Sequence, residues 1–163
     1  MTQQVYISDT NIWIDFRNAG LLGALFALPF ELCSTDFVLN ELEDFDPAAL
    51  VEQGLVVHAL DETATARLFD LMDAHNNSSL ADVSCYLLAQ DTGHPLLTGD
   101  GRLRKQATQD GIQVYGVLWL LDQLVACEII NGLAAANGLK AMLGNGARLP
   151  HAECQTRLRA WLV

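Results

Sequence analysis

Two stretches decide the fold: Val5-Tyr6-Ile7-Ser8-Asp9-Thr10-Asn11 and Leu96-Leu97-Thr98-Gly99-Asp100-Gly101. Each is a short apolar run that ends in small polar residues and an aspartate and then passes into helical spacing. Ile12, Trp13 and Phe16 recur at helical intervals after Asp9, and Gly20 closes that segment; Leu103 and Ala107 do the same after Asp100. A run that is apolar throughout, rather than alternating, suits a strand covered on both faces.

Working outward, the same alternation recurs. Phe30 to Ser34 reads as a second strand, with Thr35 or Asp36 capping a helix whose inner face is Phe37, Val38, Leu42 and Phe45. Pro47 starts another helical piece, and Leu55 to His58 is a third strand. Asp61 caps a helix to about His75, with Leu68, Leu71 and Met72 turned inward, and Asn76-Asn77-Ser78 is a turn. Ser79 and Asp82 resemble a capping box opening a helix from Leu80 to Asp91. Leu96 to Thr98 and Ile112 to Tyr115 supply the fourth and fifth strands. From Val117 onward the chain reads as helical, punctuated by Asn-Gly steps at 131, 137 and 145 and by Pro150. No hairpin turn joins the strands, which specifies crossovers and a parallel sheet. The expected architecture is a three-layer α/β/α body with a five-stranded, mainly parallel sheet over residues 1–130. Residues 131–163 are expected to form a C-terminal helical hairpin packed on the same body.

Composition limits the function. The chain has 163 residues, enough for one domain, and hydrophobic residues make up 51 %, which excludes disorder from weak hydrophobicity. With 9 Lys plus Arg against 20 Asp plus Glu, the net charge is −11. Such a field repels nucleic acid at long range, so a phosphate-bearing ligand needs a local basic strip or bound cations. Cys33, Cys85, Cys127 and Cys154 are scattered, with no Cys-x-x-Cys step, and read as reduced, mostly buried thiols rather than a zinc site. No secretory pattern opens the sequence, and the greasy run from Gly20 to Phe30 is too short to span a bilayer. A cytoplasmic protein without a membrane partner is expected.

Site chemistry therefore rests on carboxylates. In an open parallel sheet, ligands bind beyond the carboxyl ends of the strands. Asp9 and Asp100 each follow a strand, Glu41 lies about one turn into the helix after the second strand, and Asp82 sits in the first turn of its own helix. Taken singly, each has a plainer reading as a cap or turn former; Asp82 in particular completes the cap begun by Ser79. Taken together, the four acids are expected to converge on one rim. Asp15 is expected to face away by helical phase, and Glu43, Asp44 and Asp46 to form a solvated face. Two unit charges 4 Å apart repel by about 1 kcal/mol in water and about 4 kcal/mol at a surface-like dielectric. Such a group calls for a hard cation, and an all-oxygen donor set suits Mg²⁺ or Mn²⁺. Metal-assisted phosphodiester hydrolysis is the chemistry this arrangement points to.

At these residues the chain resembles the PIN-domain family. Tyr6-Ile7-Ser8-Asp9-Thr10-Asn11-Ile12-Trp13-Ile14-Asp15 is similar to its first motif and Val38-Leu39-Asn40-Glu41-Leu42 to its second. Ser79-Leu80-Ala81-Asp82, with Leu87-Leu88-Ala89 downstream, resembles the third, and Leu96-Leu97-Thr98-Gly99-Asp100-Gly101-Arg102-Leu103 the fourth. The resemblance spans about residues 4 to 127, and the helical tail is similar to an extra helix pair of some subgroups. It implies a Mg²⁺- or Mn²⁺-dependent endoribonuclease acting on RNA, commonly a VapC-like toxin with an antitoxin partner and commonly a homodimer. Asp9, Glu41, Asp82 and Asp100 are its expected catalytic and metal-holding residues.

Around them, Thr10, Asn11 and Thr98 are candidates for orienting metal-bound water, or equally for caps. Arg102, Arg104 and Lys105 form the densest basic cluster, joined by Arg17, and are candidates for RNA contact or else a solvated helix face. Arg157 and Arg159 read as ordinary surface residues. Trp13, Trp119 and Trp161 sit at apolar helical phases suited to a core or dimer interface. A receiver domain needs an acidic pair after its first strand and a Lys ending its last. A haloacid-dehalogenase-like phosphatase needs Asp-x-Asp where this chain has Asn11. Both fit less well. The alternative from another class is a catalytically weak PIN-like binding module acting through protein–protein contacts.

Overall fold

The computed structural model describes residues 4–74 and 78–163. The chain runs β1 (Val5–Ser8), α1 (Thr10–Asn18), α2 (Leu22–Leu25), β2 (Glu31–Thr35), α3 (Asp36–Glu41), α4 (Pro47–Gln53) and β3 (Val56–His58). It continues through α5 (Glu62–Ala74), α6 (Leu80–Thr92), β4 (Leu96–Leu97), α7 (Gly101–Gln109), β5 (Val114–Tyr115), α8 (Val117–Ala126), α9 (Gly132–Gly144) and α10 (His151–Trp161). The five strands form one sheet in the order β3-β2-β1-β4-β5, and every pairing is parallel. Helices flank this sheet in a three-layer α/β/α arrangement. The expected class is what is found, with strand ends shifted by one or two residues.

The order places β1 centrally, between β2 and β4. Register pairs Ile7 with Cys33 on one side and with Leu96 on the other. Ile7, Leu96 and Leu97 are 0 % exposed, so the center of the sheet is covered on both faces, as its unbroken apolar runs require. Trp13 and Phe16 of α1, Val38 of α3, Cys85 of α6 and Leu120, Leu121 and Leu124 of α8 complete the main core. Leu68 of α5 packs with Val83 and Leu87 of α6 in a satellite cluster, flanked by Leu71 and Met72. The expected helix end at His75 and the turn at Asn76 and Asn77 lie outside the described residues.

The C-terminal hairpin shares the main core through Leu139, Met142 and Cys154. Asn131 caps α9, and Asn145 closes it, as their Asn-Gly steps suggested. The step at Asn137-Gly138 does not interrupt the helix; it lies inside α9. A Cβ at Gly138 would stand 2.6 Å from Leu21 Cδ1, so the glycine permits close packing against the loop after α1. At Gly132 a Cβ would stand 2.6 Å from the Trp161 carbonyl oxygen, which brings the start of α9 against the end of α10. Arg157, expected as a plain surface residue, gives three hydrogen bonds to Asp122, from Nε and Nη2, and ties α10 to α8. Among the described residues no helix is long and apolar enough to cross a membrane, and all four cysteines are free.

Candidate metal centre

The carboxyl end of β1 and the segment after β4 are locked together by the backbone. Asp9 N–H donates to the Leu97 carbonyl at 3.0 Å, and Thr98 N–H to the Tyr115 carbonyl at 3.1 Å. Both continue the ladder one step past the strands and bring Asp9 against Thr98. Thr98 Oγ1 donates to Asp9 Oδ2 at 2.5 Å and accepts from the Asp100 N–H at 3.1 Å. Asp9 Oδ1 accepts from Ile12 N–H and so caps α1. Asp100 Oδ1 accepts from the N–H groups of Arg102 and Leu103 and caps α7, while its Oδ2 accepts from Ser78 Oγ. For these two acids the capping reading is met, and both caps stand at the same sheet edge.

Asp82 enters from α6. Ser79 Oγ accepts from the Asp82 N–H at 3.0 Å, the first half of the expected capping box. Asp82 is buried, and its Oδ1 has no hydrogen-bond partner among the described residues; the same is true of Thr10 Oγ1. Burial, then the charges of Glu41 and Asp100, push the Asp82 carboxyl up to about 6, against the Ser79 side chain and the Thr10 N–H, which favor its ionised form. Asp9 is fully buried and is raised well above the carboxylate range by desolvation first and by Asp82 second. Asp82 thus feels Glu41, Asp100 and Asp9, which brings all four expected acids into one electrostatic neighborhood. Glu41 is the last residue of α3 and is exposed.

Buried polar side chains support this rim from below. Ser34 Oγ donates to the Ser8 carbonyl at 2.6 Å, and the Thr35 and Ser84 hydroxyls meet at 2.6 Å. Cys85 Sγ donates to the Ser8 carbonyl at 3.4 Å, which ties α6 to the end of β1. Ser34 and Ser84 were not singled out from sequence, because isolated serines in apolar runs carry no spacing signal, whereas Thr35 also caps α3 as expected.

The donor set fits a hard divalent cation in kind. It consists of carboxylates destabilised by one another, with unpartnered Asp82 Oδ1 and Thr10 Oγ1 beside them. Among the described residues, however, no three His, Cys, Asp or Glu side chains already stand close enough together to hold an ion. Two of the acids are turned toward helix N-termini instead, where they satisfy backbone N–H groups.

The remaining candidates divide among three cavities. Asn11 and Gly99 line one of about 320 Å³ together with Asp15 and Arg148. Asp15 does not face away as expected: it stands one helical turn from Asn11, on the same face, and its carboxyl is pushed up to about 6 by burial. Arg104 lines the largest, of about 740 Å³, with Thr98, Gly99 and Gly101. Arg102 and Lys105 are exposed on α7. Arg17 is placed with Glu41 instead, its guanidinium 4.5 Å from the Phe45 ring centroid in a small cavity also lined by Glu43 and Asp44. Arg148 was missed in sequence, being a lone cation in a loop.

Comparison with known proteins agrees with this fold. A PilT N-terminus domain protein from the hyperthermophilic archaeon Sulfolobus solfataricus P2 superposes with a TM-score of 0.52 at 11 % identity, over 75 % of this chain and 94 % of the archaeal one. At that identity the likeness is one of fold. No curated protein sequence matches the chain. The family model described as a PIN domain matches residues 5–162, nearly the whole length and including the C-terminal hairpin. The chain belongs to the PIN-domain family.

Proposed function

We propose that this chain is a Mg²⁺- or Mn²⁺-dependent endoribonuclease that hydrolyses RNA phosphodiester bonds, with Asp9, Glu41, Asp82 and Asp100 as the residues that hold the metal. The observation that carries the reading is the burial of Asp9 and Asp82 at one sheet edge, where Asp82 also faces the charges of Glu41 and Asp100, beside unpartnered oxygens of Asp82 and Thr10. A divalent ion bound there supplies charge neutralisation, water activation and stabilisation of the charge that develops on the phosphate. Thr98 holds Asp9 in one orientation through the Oγ1–Oδ2 hydrogen bond and is itself positioned by the Asp100 N–H. Asp82 Oδ1, with no competing partner, would hold the ion through water and accept a proton from the attacking water. In the reaction, water oxygen bonds to phosphorus in line as the bond to the ribose oxygen breaks, and that oxygen leaves with the bonding pair and takes a proton from solvent. PIN-domain membership also favors the coarser role in nucleic-acid chemistry; a VapC-like toxin with an antitoxin partner, and a homodimer, are finer readings carried by the resemblance alone.

One observation favors a second reading, a PIN-like binding module without turnover. The acids are not gathered into a ready coordination group, and Asp9 and Asp100 serve as helix caps. Calorimetric titration of Mn²⁺ into the wild type, Asp9→Asn and Asp100→Asn separates the two, with cleavage of a labelled single-stranded RNA measured on the same samples. The nuclease reading expects saturable Mn²⁺ binding and cleavage in the wild type and loss of both in the variants. Equal metal binding by all three proteins would falsify it.

A further inference from the structure

The cavity of about 740 Å³ lies between the end of β4 and the C-terminal hairpin, and is lined by Thr98, whose hydroxyl holds Asp9. Its volume falls in the range of sites that enclose a small molecule. Its charge is unusual for this chain. Of the nine Lys and Arg, Arg104, Arg148 and Arg157 all line it, against the single carboxylate of Glu153. Arg157 is engaged by Asp122, whereas Arg104 and Arg148 have no ion-pair partner among the described residues. Trp119, Leu149 and Val117 supply apolar lining beside them. Trp119 is fixed by Tyr115, whose ring centroid lies 4.3 Å away.

Backbone dipoles reinforce the arginines. Among described helices longer than four residues, only α8 and α10 lack a side-chain cap hydrogen bond at the N-terminus, and their N-caps, Gly116 and Pro150, both line this cavity. Every other such helix is capped by Asp, Ser, Thr or Asn. Their first-turn N–H groups therefore add positive potential beside Arg104 and Arg148.

We infer that this cavity binds one nucleotide unit of a single-stranded RNA next to the carboxylate site, its phosphate toward Arg104 and Arg148 and its base against Trp119 and Leu149. The inference rests on the ribonuclease reading and adds a specific role for the hairpin, which supplies Arg148 and Leu149. A duplex keeps its base faces stacked and cannot present one to Trp119, so an unpaired strand is the matching ligand. The pocket also answers the charge problem of the chain: phosphate is held where cations are concentrated, within a molecule of net charge −11.

The test is fluorescence anisotropy of a labelled twelve-nucleotide single-stranded RNA of mixed sequence with the full chain in EDTA, over a range of salt. Arg104→Ala and Arg148→Ala are each expected to weaken binding about 5- to 20-fold and to lower the slope of log affinity against log salt by about 0.7. Lys140→Ala, which removes an exposed charge of α9 outside the cavity, should change affinity less than about 2-fold. The perfectly paired duplex should compete at least about 10-fold less well. Intrinsic fluorescence of a Trp161→Phe protein should be quenched on binding, because Trp13 is sealed in the core. No binding by the wild type, arginine variants that bind like it, an equal loss in Lys140→Ala, or equal competition by duplex overturns the inference; absence of quenching overturns the placement of the base. The Mn²⁺ titration is independent: no metal binding with arginine-dependent RNA binding removes the nuclease reading and leaves the pocket. Metal binding and cleavage with indifferent arginines does the reverse.

Discussion

Thr98 Oγ1 donates to Asp9 Oδ2 at 2.5 Å while accepting the Asp100 N–H, so one hydroxyl links two of the acids that follow neighboring strands. Thr98 is 1 % exposed and Asp9 is 0 % exposed. A buried hydrogen bond to a charged group contributes about 1.5–3 kcal/mol, and removing the donor leaves the carboxylate undersatisfied. The link depends on parallel β1 and β4 ending at the same level.

Thr98→Val is therefore expected to lower Mn²⁺ affinity and RNA cleavage by about 10- to 100-fold, with Asp9 free to turn. Thr98→Ser keeps the hydroxyl and should recover most of both. Calorimetry and initial rates on the two variants measure this; a Val variant that matches the Ser variant in both would remove Thr98 from the site.

Two glycines of α9 should respond differently to alanine. At Gly132 the added Cβ meets the Trp161 carbonyl at 2.6 Å, a backbone atom held in α10, so Gly132→Ala should destabilise by about 1–3 kcal/mol. At Gly138 it meets the tip of Leu21, a side chain able to shift, and the gain of about 1 kcal/mol in helix propensity offsets the crowding. Urea unfolding of both variants should rank Gly132→Ala clearly below Gly138→Ala. The reverse order would mean that the hairpin closes less tightly at Trp161 than at Leu21.

Arg157→Met should test how firmly α10 is held. The guanidinium pairs with Asp122 through Nε and Nη2, but its side chain is 26 % and that of Asp122 39 % exposed. Solvent screening limits such a pair to about 1 kcal/mol. The expected loss is a lowered thermal midpoint of about 2–4 °C with unchanged Mn²⁺ affinity, measured by circular dichroism and calorimetry.

The parallel sheet was legible because β1 and β4 are apolar throughout and lack hairpin turns, a pattern that local residue types report directly. Asp9 and Asp100 were legible as strand-end acids for the same reason. Asp15 was misread because phase was counted from its apolar neighbors, whereas the hairpin loop at 145–149 creates a second wall that makes its face an interior one. Gly138 read as a stop because the sequence does not display Leu21 across from it. Arg148 carried no local signal at all; it lines one cavity with Arg104 and with two uncapped helix starts that are distant in sequence. What escaped the sequence is contact between segments, not local structure.

The acids also make stability depend on pH with a definite sign. Asp82 is pushed up to about 6, from an ordinary value of 3.8, by burial and by the charges of Glu41 and Asp100. Between these values the folded chain holds a proton that the unfolded chain has released, so unfolding free energy falls as pH rises from about 4 through 6. Stability from this group is present at the acidic end and lost above it. Asp82→Asn removes the titration, and metal-free variant should exceed metal-free wild type at pH 7.5 by about 1–3 kcal/mol, the worth of a shift of this size. Saturating Mn²⁺ should reverse the order, because only the wild type retains the full acidic group and gains stability by binding. Thermal melts at pH 4.5 and 7.5, with EDTA or Mn²⁺, give all eight values for the two proteins. A wild type more stable than Asp82→Asn at pH 7.5 in EDTA would show that the acids do not repel one another as placed, and no reversal with Mn²⁺ would remove Asp82 from the metal site.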